Sequence, residues 1–214
     1  MLFRSALRIL LCCIASLATA DAAASSSAHN PRDPWGLCAA HVAQAERILR
    51  LPSKLMQAIS KVESGRWNQD RKALFAWPWT VMAEGQGRYL PNRRAAIAEV
   101  RRLQARGVRN IDVGCMQVNL YWHPEAFDSL EQAFDPAYNV AYAATFLQEL
   151  RGEARTWPEA VGRYHSSTPP RMRAYRDKVL DRWQEEKRAA RQRRLVARSQ
   201  AALPASEDKE SPGG

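Results

Sequence analysis

Negative charge is in short supply in this chain. Its 22 Asp and Glu stand against 32 Lys and Arg, a net charge of +10 over 214 residues, so the surface favours anionic partners without saying which. Cysteine is also scarce, at four, which excludes a mini-protein built on disulfides. No Cys-x-x-Cys occurs, and His29, His41, His123 and His165 lack the spacing of metal ligands, so neither a metal nor an organic cofactor is expected. There is no internal repeat and no strand–helix–strand alternation, which turns the reading away from solenoids and doubly wound sheets. The apolar run from Ile9 to Leu17 is too short to span a bilayer comfortably. What is present, 46% hydrophobic and 25% charged residues, is ordinary globular composition. A chain of this length buries roughly 70% of its unfolded surface in one core.

The two ends read differently from the middle. Arg4 and Arg8 precede the apolar run, and Ala18-Thr19-Ala20 closes it; this is the pattern of a secretory signal over residues 1–20, with a retained anchor as the alternative. Export removes Cys12 and Cys13, leaving Cys38 and Cys115 as either one disulfide or two buried thiols. Residues 21–34 read as a flexible lead, 35–183 as the folded domain, and 184–214 as a basic helical extension with a breaker-rich, disordered tail.

Most of the body has helical period. The segment from Leu37 to Arg50 places Val42, Ala45, Ile48 and Leu49 on one side, and Ser53 is expected to cap a second helix striped with Leu55, Met56, Ile59 and Val62. Between Ala76 and Pro91, aromatic and β-branched residues flank Glu84-Gly85-Gln86-Gly87, which predicts a hairpin with Pro78 holding one strand at an edge. Asn92, Asp135 and the pair Thr156 and Glu159 open further helices, and a last one starts near Pro169-Pro170 with Met172, Tyr175, Val179 and Trp183 on one face. The fold class expected is mainly α with a small β-hairpin insertion.

Glu63 is the residue with the clearest chemical meaning. It falls in the last turn of the second helix beside the apolar stripe, where burial and the negative end of the helix dipole both raise a carboxyl pKa. A carboxylic acid kept protonated near neutrality is what protonation of a glycosidic oxygen requires. On spacing alone, a half-exposed Glu paired with Lys61 or Arg66 is the competing reading.

Three segments weigh on that choice: Val62-Glu63-Ser64-Gly65, then Gly114-Cys115-Met116-Gln117-Val118-Asn119, then Ala160-Val161-Gly162-Arg163-Tyr164-His165-Ser166. In this order they resemble the soluble lytic transglycosylases, whose signatures are a Glu-Ser at a helix end, a Gly-Leu-Met-Gln turn and an Ala-Tyr-Asn-Ala-Gly segment. The resemblance covers roughly Cys38 to Tyr175. It implies a lysozyme-like helical domain of the goose type, acting in the periplasm on the β-1,4 bond between N-acetylmuramic acid and N-acetylglucosamine of peptidoglycan. Glu63 would be the single catalytic acid and base. Ser64 would support it, Met116, Gln117 and Asn119 would line the groove, and Tyr164 would aim its hydroxyl at Glu63, with His165 beside it. A monomer is expected, serving locally at an envelope-spanning secretion or appendage machine. The competing readings are a hydrolytic muramidase of the same fold and a silent wall-binding protein.

Two departures stand out. Cys115 replaces the leucine of the second signature, and Tyr164-His165-Ser166-Ser167 replaces Tyr-Asn-Ala-Gly. A hydrolase would need a second carboxylate, with Glu84, Asp112 and Glu125 as candidates. Trp77-Pro78-Trp79 reads either as a sugar-stacking wall or as a cap over the core. The arginines past Trp183 read as a solvated helix or as an attraction to anionic lipid or peptide stems; nucleic-acid binding fits their charge but not export.

Overall fold

The computed structural model describes residues 33–202. The expected signal peptide, most of the expected lead and the tail from residue 203 lie outside the described residues. The described part is 60% helix and 12% strand, so the mainly α class holds. No helix among the described residues is long and apolar enough to cross a membrane.

Among the described residues, seven helices and six short strands follow one another. α1 (Pro34–Ile48) and α2 (Leu55–Ser64) lead into the hairpin β1 (Gly65–Asn68) and β2 (Ala73–Ala76). Next come β3 (Thr80–Ala83), β4 (Gln86–Tyr89), α3 (Arg93–Ala105), β5 (Ile111–Val113) and β6 (Val118–Asn119). The chain closes with α4 (Leu130–Ala133), α5 (Pro136–Glu153), α6 (Trp157–His165) and α7 (Pro169–Ala201). β1 and β2 form one antiparallel pair, and the other strands form an antiparallel sheet in the order β4-β3-β5-β6. The β content thus exceeds the single expected hairpin, because Ile111–Val113 joins β3 in register.

Local capping follows the sequence where the cap is local. Asn92 accepts from the Ala95 amide, Asp135 from Ala137 and Thr156 from Glu159, each satisfying a donor of a first turn. The predicted hairpin turn is present at Glu84-Gly85, both at positive φ, as a two-residue turn that matches strand twist requires. Three expectations need correction. Asp33 and Pro34, assigned to the flexible lead, are the N-cap and first residue of α1. Pro78 sits in the connection before β3, and β3 is an inner strand rather than an edge. Ser53 does not cap α2, whose first turn is served by Glu46 of α1: its carboxylate accepts from Lys54 and Gln57 at 2.9 and 3.1 Å. Glu46 therefore takes a buried position on α1, while Ile48, expected in the core, is 63% exposed.

There are two cores. The larger joins α1, α2, α5, α6 and α7 around Leu55, Met56, Ile59, Val140, Leu147 and Val161. The smaller packs α3 and α4 on the four-stranded sheet through Val81, Val100, Leu103, Ile111, Val113 and Phe134. Trp77 is 4% exposed and donates its indole N–H to the Leu90 carbonyl, so Trp77-Pro78-Trp79 is a cap over the core and not a sugar-stacking wall.

Cys38 and Cys115, 77 positions apart in sequence, form a disulfide with Cα atoms 5.7 Å apart. It ties α1 to the turn between β5 and β6. Removing it releases a long loop in the unfolded chain, a loss of about 4 kcal/mol in the chain-entropy view. A Cys38→Ser, Cys115→Ser double variant should show that loss in urea unfolding, and reductant should reproduce it in the wild type.

Candidate functional site

The site is built around the turn from Gly114 to Gln117. Gly114 has φ +82°, and a Cβ there would collide with the side-chain amide of Asn139. That amide reaches from α5 to accept from the Met116 N–H at 2.9 Å and to donate to the carbonyls of Val113 and Ala133 at 3.0 Å each. Ser64 donates its hydroxyl to the Cys115 carbonyl at 2.7 Å, and Tyr164 donates to the Met116 carbonyl at 2.9 Å. With the disulfide, four helices grip this turn at Cys115 and Met116.

This grip gives the expected site residues different roles. Ser64 and Met116 are buried at 1% and 0% exposure; they hold the turn and do not line a surface. Tyr164, expected on Glu63, is bonded to the turn instead. Gln117, at φ 48°, spends both amide hydrogens on the carbonyls of Thr80 and Gly114, which leaves its Oε1 as the acceptor it can offer to the groove. Asn119 is fully engaged. Its Nδ2 donates to Asn110 and Asp112, and its Oδ1 accepts from the amides of Tyr121 and Trp122. It shapes the groove without a free hydrogen-bonding site of its own.

Between the sheet and the helical lobe runs a groove of about 950 Å³. Glu63 opens onto it from the end of α2, together with Asp112 from β5, Tyr142 and Phe146 from α5, His165 from α6, and Tyr175 and Lys178 from α7. Tyr175 donates its hydroxyl to Glu63 Oε1 at 2.5 Å. The same tyrosine ring stacks on His165 at 4.6 Å and lies nearly parallel to Tyr164 at 6.5 Å. The sequence showed Tyr175 as a face residue of the last helix. Nothing local distinguished it from a core aromatic, because the 112 positions separating it from Glu63 are closed only by the fold.

Burial dominates the electrostatics of this centre and pushes the Glu63 carboxyl up to about 7. The Tyr175 hydrogen bond pulls it down, the nearby Asp112 charge pushes it up, and Lys178 pulls it down. Burial also raises Asp112, against the pull of its Asn119 bond. The hydroxyls of Tyr164 and Tyr175 are held well above the ordinary tyrosine value by burial and by the Glu63 charge, so both stay protonated donors. Burial lowers His165, with Lys178 and Arg171 adding to the effect. Glu84 pairs with Arg106 at the hairpin turn and Glu125 is exposed. Neither lines the groove, so of the three candidate second carboxylates Asp112 alone does. No cluster of three or more His, Cys, Asp or Glu able to hold a metal occurs among the described residues.

The arrangement provides a proton donor near neutrality that opens onto the groove. It also makes Glu63 a cost to the fold. A carboxyl raised from 4.5 to about 7 binds its proton more tightly folded than unfolded, so stability is highest below the unfolded value and falls as pH rises through 7. Glu63→Gln removes that loss. Its stability gain over wild type should be small at pH 4 and grow towards pH 8, with a ceiling of about 3 kcal/mol, since part of the side chain faces the groove. Denaturant unfolding at the two pH values measures it. No family model, curated protein or solved structure matches this chain.

Proposed function

We propose that this protein is a lytic transglycosylase with a lysozyme-like fold, exported to the periplasm, where it cleaves the glycan strands of peptidoglycan. The observation that carries the reading is one carboxyl, Glu63, raised to about 7 and held by a tyrosine hydroxyl in a groove of about 950 Å³. The three signature segments support it by converging on that groove: Glu63 at a helix end, Gln117 from the turn, and His165 from the third segment. The disulfide suits an oxidising compartment, and the basic-then-apolar start of the chain suits export.

In this mechanism protonated Glu63 gives its proton to the oxygen bridging N-acetylmuramic acid and N-acetylglucosamine. The C1–O bond breaks, and the carbonyl oxygen of the muramic acid's own acetamido group shares the positive charge at C1. The Glu63 carboxylate then takes the proton from the C6 hydroxyl as O6 bonds to C1, which closes a 1,6-anhydro ring and restores the acid. No water is consumed and the nucleophile belongs to the substrate, so one protein carboxyl suffices where hydrolases use two. Tyr175 stabilises the carboxylate between the two proton transfers.

One observation favours a second reading. Asp112 shares the groove and acts on the Glu63 charge, as the second carboxylate of a hydrolytic muramidase would. Product mass separates the two. Digestion of isolated sacculi should release muropeptides one water lighter than hydrolysis products. Glu63→Gln should lower the rate by about a thousandfold or more, within the range of general acid–base catalysis. Reducing ends instead of anhydro ends would make the protein a hydrolase. The pH–rate profile gives a further check, because activity should fall as pH rises through 7. Tyr175→Phe removes a bond that favours the charged form of Glu63, so it should move that alkaline limb to higher pH.

A further inference from the structure

Trp122 is the most exposed large hydrophobic side chain among the described residues, at 70%. Of the exposed large hydrophobics, only Trp122 and Met82 line the groove. A single exposed apolar residue is unremarkable in itself. What sets this one apart is how firmly it is held. The amides of Tyr121 and Trp122 both donate to Asn119 Oδ1 at 3.0 Å, and the same Asn119 is pinned from its other end by Asn110 and Asp112. The Tyr121 ring meets the indole edge-on at 4.9 Å, and the Arg109 guanidinium lies over the Tyr121 ring at 5.1 Å. A main chain pinned beneath an indole that keeps most of its surface uncovered presents a flat apolar face, and little backbone ordering is left to lose on binding.

The surroundings narrow the partner. Asn110 and Asp112 line the same groove and hold the Asn119 that anchors the Trp122 main chain, so the groove offers amide and carboxyl groups along with an aromatic face. A pyranose ring fits that combination: its C–H face is apolar and its rim carries hydroxyl and acetamido groups. We infer that Trp122 is the stacking platform for one N-acetylhexosamine ring of the strand, on the sheet side of the groove. The inference rests on the glycan reading above and adds where the strand lies. Asn119 is then a positioning residue, acting on the sugar through Trp122.

The test is calorimetric titration of Glu63→Gln, which should bind without turnover, with peptidoglycan glycan strands stripped of their stem peptides. Adding Trp122→Ala should weaken binding about tenfold, equal to about 1.4 kcal/mol, while Trp122→Phe keeps most of the affinity. The exposure of the side chain predicts unchanged thermal unfolding for both variants. Equal affinity with and without the indole would overturn the platform and leave the glycan reading standing. No binding of strands by Glu63→Gln itself would overturn both, and the groove face of Trp122 would then suit a protein partner.

Discussion

The turn from Gly114 to Gln117 is the constraint on which the rest of the structure depends. α1 reaches it through the disulfide, α2 through the Ser64 hydroxyl, α5 through the Asn139 amide and α6 through the Tyr164 hydroxyl. Each contact is to a backbone atom or to a cysteine at full burial, so each would leave an unsatisfied polar group or a void if it were lost. The turn also divides the molecule. The sheet with its own small core lies on one side and the helical core on the other. The groove is the seam between them, and its floor is as rigid as this junction.

That rigidity explains how an unfavourable acid survives beside it. Glu63 sits one residue before Ser64, whose hydroxyl bonds to both the Ser60 and Cys115 carbonyls. The end of α2 therefore cannot swing out to hydrate the carboxyl. Burial is the largest influence on Glu63, and the Tyr175 bond offsets it only in part. The protein accepts a less stable charged form in exchange for a proton held near neutrality, a common arrangement where a pKa must match a task.

How much of this was legible in the sequence depended on the distance between partners. Caps at Asn92, Asp135 and Thr156 act within three residues and could be read directly. The α2 cap could not: Glu46 serves it from another helix, and the Ser53 side chain next to the gap was the obvious but wrong acceptor. The same limit governs the site. Glu63 declares itself by its place in the helical stripe, but its tyrosine partner is Tyr175 rather than Tyr164, because the choice depends on how α6 and α7 pack. The aromatic residues show the point most plainly. Trp77 and Trp122 are the same residue type in similar company, Trp-Pro-Trp and Tyr-Trp-His, yet one is a core cap and the other faces the groove. Nothing but the positions of β2 and β6 in their sheets decides between them.

α7 connects the chemistry to the one part of the chain that the groove does not explain. Tyr175 reaches Glu63 only in one register of this helix. Met172 packs so closely on Gly162 that a Cβ there would clash. Val179 is buried in the main core, the Trp183 indole donates to the Ser53 carbonyl, and Glu186 pairs with Lys61 at 2.6 Å. These contacts recur every three or four residues along one face, the period of a packed helix. They stop at Glu186, where the arginine-rich stretch begins, although the helix runs on unbroken to Ala201. The register that seats the Tyr175 hydroxyl is therefore fixed on both sides of it, and the basic segment projects from an element whose position the core contacts already determine.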